Sequence, residues 1–162
     1  MKKAPARLRV LIADRQRDVA MSRCELTALA RAASPARWGG RTVSLVLVGG
    51  GEMTELNRRF TGREGDTDVL AFDLESPGDG TVGEVIVNAA RAVSEARARG
   101  VAPAEELALY VVHGLTHLQG FDDHCPADRK RMYEREETAM TAAGWAYVRR
   151  RARRAARGGK KP

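Results

Sequence analysis

The sequence has few of the features that would place a protein in a membrane or outside the cell. Its 162 residues include only two cysteines, Cys24 and Cys125, which cannot form a disulfide framework and are expected to stay reduced. No apolar run approaches the roughly 20 residues that a membrane-spanning helix requires. The apolar run near the N-terminus is too short and too charged for a signal peptide. These absences predict a cytoplasmic protein without membrane contact.

Acidic residues are missing from the last fourteen positions, RRRARRAARGGKKP, which carry eight positive charges. The net charge of the whole chain is +7, so residues 1–148 are close to neutral. A basic segment of this kind repels itself and suits a polyanion such as RNA. We expect one domain over residues 1–148 and a disordered basic tail over residues 149–162, with Arg149, Arg150 and Arg151 among its RNA contacts. The alternative is a tail that only increases solubility.

Hydrophobic periodicity predicts about four strands and five helices. The strands are predicted at 8–14, 42–50, 67–74 and 82–88, and the helices at 18–33, 51–62, 89–100, 103–120 and 126–144. Strands and helices do not alternate strictly along this order. The pattern therefore favours an α+β domain with a sheet of mixed strand direction, packed with helices.

All three histidines of the chain fall within residues 113–124, HGLTHLQGFDDH. His113 and His117 are four residues apart on a predicted helix, so their side chains lie on one face. Two imidazoles in this arrangement can bind one tetrahedral ion at about 2.0–2.1 Å. Gly120 then lets the chain turn, and further donors follow within five residues. The spacing predicts a metal site at the end of this helix.

The residue after His113 bears on the chemistry of that site. Zinc peptidases of the H-E-x-x-H type carry a glutamate there as general base, whereas this chain has Gly114. A peptidase of that class is therefore disfavoured. Three protein ligands would leave a position for a water molecule whose pKa the ion lowers, so hydrolysis remains the natural chemistry.

The segment HGLTHLQGFDDH resembles the H-G-x-L-H-L-x-G-[YF]-D-H pattern of the YbeY family, which are bacterial metal-dependent endoribonucleases. Four further segments resemble the family in order and spacing: LNRRF (56–60), TDVLAF (67–72), GEVIVN (83–88) and RMYEREE (131–137). The resemblance spans about residues 42–137. It implies a small zincin-like α+β domain with one Zn²⁺ ion held by three histidines at the end of a central helix.

The same resemblance implies a function in RNA metabolism. It implies an endonuclease specific for single-stranded RNA that matures the 3′ end of 16S ribosomal RNA and acts in ribosome quality control. Contact with ribosomal proteins of the small subunit follows as an expectation. The alternative is a non-catalytic, ribosome-associated RNA-binding factor, whose zinc would be structural and enclosed by four protein ligands.

The chain departs from the family pattern at the third ligand. The family places its third histidine three residues after the glycine, where this chain has Asp123, and His124 follows. Both side chains are suitable zinc donors. We predict that His124 is the third ligand because the family uses imidazole, with Asp123 as the alternative. The residue that does not bind the ion would orient a ligand or the bound water.

A second departure concerns an arginine that the family commonly carries after the aromatic residue of the L-N segment. This chain has Thr61 there, with Arg58, Arg59 and Arg63 nearby. A guanidinium pairs with phosphate and stabilises the charge that develops on a cleaved phosphodiester. We predict Arg59 as a catalytic residue and Arg58 and Arg63 as nucleic-acid contacts. Asp122 is predicted as a second catalytic residue, with Asp123 and a substrate phosphate as other candidates for the general base.

Overall fold

A four-stranded sheet lies at the centre of residues 6–148, the part of the chain that the computed structural model describes. The strands are β1 (Arg9–Asp14), β2 (Thr42–Val48), β3 (Val69–Asp73) and β4 (Thr81–Asn88), in the spatial order β1-β2-β4-β3. β1, β2 and β4 are parallel neighbours, and β3 pairs with β4 in the antiparallel direction. The prediction of a mixed sheet of about four strands in an α+β domain is confirmed. The predicted tail at 149–162, including Arg149, Arg150 and Arg151, lies outside the described residues.

Five helices pack with the sheet, close to the predicted positions. They are α1 (Arg23–Ala33), α2 (Gly50–Thr61), α3 (Ala89–Arg99), α4 (Pro103–Leu118) and α5 (Pro126–Ala142), and a short 3₁₀ turn covers Ala36–Trp38. Proline at the first position starts α4 and α5, where its missing N–H costs nothing. The first helix was predicted to begin at residue 18 but begins five residues later. There the Ser22 side chain and Glu25 form a capping box that fixes the helix start.

Helix α4 is the most buried of these helices and contacts α1, α3, α5, β3 and β4. Eleven of its sixteen residues are buried, from Glu106 to Thr116 without a break. A helix that is apolar around most of its circumference belongs in the interior of a domain. Side chains near its C-terminal end, His113 and His117 among them, are therefore held by elements on several sides.

The contact between α4 and the sheet depends on a glycine. A Cβ atom at Gly114 would lie 2.3 Å from Cγ1 of Val85, which is fully buried in β4. Such a distance is far below van der Waals contact. Glycine at position 114 therefore allows α4 to approach β4 more closely than any residue with a Cβ atom at that position would.

The opposite face of the sheet carries a smaller apolar cluster, covered by α2. Its buried members are Val46, Val48, Met53, Leu70 and Ile86.

In the described part of the chain, no helix has both the length and the apolar character needed to cross a membrane.

Two buried asparagines hold the loop between α2 and β3. The Asn57 side chain donates to the carbonyl oxygen of Gly65 at 2.9 Å. The Asn88 side chain donates to Asp66 Oδ2 at 2.9 Å and to the Thr67 carbonyl oxygen at 3.0 Å. Its Oδ1 atom also accepts from the backbone N–H of Arg91, which caps α3. The loop is thereby fixed to the ends of two elements.

Candidate metal centre

Helix α4 brings the two histidines of the H-x-x-x-H pattern into direct proximity. The Nε2 atoms of His113 and His117 are 3.1 Å apart, and the ring planes are inclined by 79°. Two nitrogen ligands of one tetrahedral zinc ion would be separated by about 3.3 Å, given bonds of about 2.05 Å. The spacing in the structure is therefore close to that of two ligands of a single ion.

Both imidazoles use their Nδ1 atom to contact an oxygen on the far side of the ring. His113 Nδ1 lies 2.7 Å from Glu136 Oε1, and Glu136 is only 1% exposed. His117 Nδ1 lies 3.1 Å from the carbonyl oxygen of Phe121. Since carbonyl and carboxylate oxygens accept hydrogen bonds, each Nδ1 donates, and in the neutral form of either ring Nε2 carries a lone pair.

The chemistry of this pair fits a bound metal ion. The two Nε2 atoms face each other at 3.1 Å, and a shared cation is one way to stabilise such a close approach of two nitrogens. Burial and the neighbouring His113 lower the pKa of His117, while Asp123, Phe121 and Asp122 raise it less. Histidine binds metal ions in its neutral form. The described residues at this end of α4 thus provide two oriented imidazole donors.

The candidates for the third ligand lie in the turn between α4 and α5. Asp122, Asp123 and His124 place their donor atoms within 4.8 Å of one another, in a group that contains neither His113 nor His117. His124 Nδ1 lies 2.6 Å from Asp122 Oδ1 and 3.8 Å from Asp123 Oδ1, and the His124 side chain is 83% exposed. The choice between His124 and Asp123 remains a prediction.

Cys125, directly after this group, has a structural contact. It is the N-cap of α5, and its Sγ atom donates to Asp128 Oδ2 at 2.9 Å and accepts from the Asp128 backbone N–H. This contact fixes the end of the turn to the start of α5.

The predicted arginines lie at the end of α2, where they make local contacts. Arg58 pairs with Glu55 at 2.7 Å, and the Arg59 guanidinium lies 5.6 Å from the centre of the Phe60 ring. Arg63 is exposed in the loop after α2. Thr61, which replaces the family arginine, donates its hydroxyl to the carbonyl oxygen of Asn57 at 2.7 Å. The roles of Arg58, Arg59 and Arg63 toward RNA remain predictions.

Two residues that contact the histidines were missed from the sequence, namely Glu136 and Phe121. One signal for Glu136 was available, because the buried positions of α5 follow a helical spacing. They are Met132, Glu136, Ala139 and Met140. A carboxylate in such a stripe needs a buried partner. No comparable signal exists for Phe121, since it acts through its backbone.

Comparison with known proteins identifies the family of the chain. The family model described as Endoribonuclease YbeY matches residues 12–144. The chain is 40% identical over 104 residues to Endoribonuclease YbeY of Anaeromyxobacter sp. (strain Fw109-5), an alignment that covers 63% of this chain and 54% of the relative. It is 36% identical over 126 residues to Endoribonuclease YbeY of Moorella thermoacetica, covering 71% of this chain and 81% of the relative. The alignment thus spans about half the length of the first relative and about four fifths of the second.

A solved structure is similar in fold. The solution structure of TM1509 from Thermotoga maritima superposes with a TM-score of 0.56 at 25% sequence identity, over 84% of this chain and 88% of that one. The similarity extends over most of both folds, and the arrangement of strands and helices described above is therefore shared with a natural relative.

Proposed function

This chain belongs to the YbeY family of endoribonucleases, and on that premise we propose that it is a metal-dependent endoribonuclease that cleaves single-stranded RNA. Its proposed substrate is ribosomal RNA, at the 3′ end of the 16S species, with roles in rRNA maturation and ribosome quality control. Ribosomal proteins of the small subunit are its proposed partners, and the cytoplasm is its proposed location.

One observation carries the proposal of a metal site. All three histidines have an Nδ1 atom close to an oxygen: Glu136 Oε1 at 2.7 Å, Phe121 O at 3.1 Å and Asp122 Oδ1 at 2.6 Å. Each ring thus has its Nε2 atom available as a metal donor. The shared pattern supports His113, His117 and His124 as the ligands, with Asp122 orienting His124 as a carboxylate commonly orients a zinc-binding histidine.

Three imidazole donors favour Zn²⁺ and leave room for a water molecule. When bound, the ion would supply Lewis-acid activation of the phosphodiester and of the attacking water. Asp122 and Asp123 lie next to His124, and either carboxylate, or a phosphate of the substrate, is a candidate to accept a proton from that water; Asp123 is also the alternative third ligand. Arg59, with Arg58 and Arg63, is proposed to bind the substrate phosphates, because a guanidinium matches phosphate in charge and geometry.

The close contact at Gly114 argues against a peptidase. The position occupied by the general base in H-E-x-x-H enzymes faces Val85 in β4, where a Cβ atom would lie 2.3 Å from Cγ1. A glutamate at this position would therefore enter the sheet packing. Hydrolysis of RNA does not require a base at this position.

The test is zinc analysis and RNA cleavage, measured in parallel on wild type, His117→Ala, His124→Ala and Asp123→Ala. Glu137→Ala, an exposed change on α5, is the control and should keep both zinc and activity. His117→Ala should lose stoichiometric zinc and cleavage, and His124→Ala should lose more zinc affinity than Asp123→Ala.

Three outcomes would change the proposal. Full zinc content in His117→Ala would refute the shared site. A larger loss in Asp123→Ala than in His124→Ala would assign the third ligand to Asp123. A wild-type protein that binds zinc and RNA but never cleaves RNA would favour the non-catalytic factor.

A further inference from the structure

Two consecutive residues of α5, Arg135 and Glu136, lie in the surroundings of the two imidazoles. Glu136 contacts His113 directly. Arg135 places its guanidinium 5.6 Å from the centre of the Phe121 ring, and the Phe121 carbonyl accepts from His117. The two histidines are thus neighbours on α4, while the oxygen that contacts His113 belongs to α5 and the oxygen that contacts His117 belongs to the turn between the two helices.

Glu136 has both carboxylate oxygens engaged. Oε1 lies 2.7 Å from His113 Nδ1, and Oε2 accepts from the Tyr147 hydroxyl at 3.2 Å. Glu136 is 1% exposed, and His113 is 6% exposed. Removing a carboxylate from water is costly unless donors replace the water, and here two side chains do so. Such a buried carboxylate in the face of α5 that packs toward α4 contributes less to packing than an apolar side chain would, which indicates another role.

We propose that Glu136 is a positioning residue for the metal centre. Its carboxylate holds His113 in the tautomer protonated at Nδ1 and fixes the ring so that Nε2 faces His117. The Tyr147 hydroxyl in turn fixes the carboxylate. This inference rests on the proposed function in one respect, because it takes His113 to be a metal ligand.

The carboxylate contributes in two separable ways. The hydrogen bond sets the tautomer and ring angle, and the negative charge increases the basicity of Nε2 toward a cation. Replacing Glu136 by glutamine removes the charge but leaves an amide oxygen for His113 Nδ1 and an amide N–H for the Tyr147 oxygen. Replacing it by alanine removes both contributions. Loss of an outer partner of a metal-binding histidine weakens metal affinity by about 10–100-fold.

The experiment compares wild type, Glu136→Gln, Glu136→Ala and Tyr147→Phe, with Glu137→Gln as the matched control on the exposed face of the same helix. The first measurement is the zinc dissociation constant, by competition with a chromophoric chelator. The second is the tautomer of His113 in the metal-free protein, from long-range ¹H–¹⁵N NMR at a pH where the ring is neutral.

Glu136→Gln should keep the Nδ1-protonated tautomer and weaken zinc binding by about 10-fold, through the lost charge. Glu136→Ala should lose the tautomer preference and weaken binding by about 100-fold. Tyr147→Phe should weaken binding by less than about 10-fold, and Glu137→Gln should match wild type. If Glu136→Ala does not fold, Glu136→Gln and Tyr147→Phe decide the question.

Zinc affinity in Glu136→Gln and Tyr147→Phe equal to that of wild type would overturn the proposal. So would a wild-type His113 protonated mainly at Nε2 in the metal-free protein. If wild type binds no zinc, the proposed function fails, whereas the tautomer measurement still reports on Glu136. The two failures are therefore distinguishable.

Discussion

Substitution of Gly114 by alanine tests the close approach of α4 to the sheet. The new methyl group would lie 2.3 Å from Val85 Cγ1 and 3.4 Å from Val85 Cβ and Cγ2. Carbon atoms in contact are about 3.5–4.0 Å apart, so the helix and strand must separate by more than about 1 Å. The Val85 side chain cannot move aside easily, because it is fully buried and its β-branched side chain has a restricted χ1 angle.

The expected change in the free energy of unfolding combines two opposing effects. Overpacking of a buried contact costs about 1–3 kcal/mol, and this contact belongs at the upper end. Alanine in a helix interior is more favourable than glycine by about 1 kcal/mol. The net destabilisation should therefore be about 2 kcal/mol, which lowers the thermal midpoint of a chain of this size by about 4–8 °C.

Urea denaturation followed by circular dichroism measures this change, and a double-mutant cycle identifies its cause. Val85→Ala alone removes two buried methyl groups and should cost about 2 kcal/mol. In the double variant, the methyl group of residue 114 occupies part of the space vacated by Val85. The loss of unfolding free energy in the double variant should therefore be about 1–3 kcal/mol smaller than the sum of the two single losses.

The same substitution at Gly51, an exposed position in α2, is the matched control. A Cβ atom there meets nothing within 4 Å, so alanine should leave stability unchanged or raise it by up to about 1 kcal/mol. The reasoning is refuted if Gly114→Ala is as stable as wild type, or if the costs of Gly114→Ala and Val85→Ala simply add.

Two further predictions concern the tail and the loop after α2. Deletion of residues 149–162, with their eight positive charges, should weaken RNA binding and reduce the slope of log K against log salt by up to about 6, with the urea midpoint unchanged. Equal affinity of the two forms at low salt would exclude a tail contact. Asn88→Ala should lower the free energy of unfolding by about 2–4 kcal/mol, because it removes the α3 cap and two buried hydrogen bonds. A loss below about 0.5 kcal/mol in urea denaturation would contradict this.

The elements of the fold could be predicted from the sequence because their signals are local. The β-branched run at 42–48, the prolines that start α4 and α5, and the glycines that end α2 and α3 all act within one turn or strand. The strand order could not be predicted in the same way, since β4 lies between β2 and β3 through contacts distant in sequence. The start of α1 was placed too early because Val19 and Met21 extend the apolar periodicity past the Ser22 cap.

The candidate site likewise depends partly on residues close in sequence and partly on residues brought together by the fold. The pair His113 and His117 follows from helical geometry, and the structure brings their Nε2 atoms to 3.1 Å. Glu136 could not be assigned to His113 from the sequence, because their contact exists only once α5 packs on α4. The turn at 120–125 has no periodicity, which is why spacing alone did not choose between Asp123 and His124.

The histidines lie on α4, whereas the carboxylate that contacts His113 lies on α5, and this separation has a consequence during synthesis of the chain. The two imidazoles emerge together, but the acceptors that orient them follow at residues 121 and 136. A chain that ends before α5 lacks Glu136, so the imidazole of His113 has no carboxylate to orient it, and a divalent ion gains less by binding the pair. High-affinity metal uptake requires a nearly complete domain, because binding energy is coupled to the folded arrangement of the ligands. Incomplete chains of this protein should thus compete poorly with finished ones for the metal.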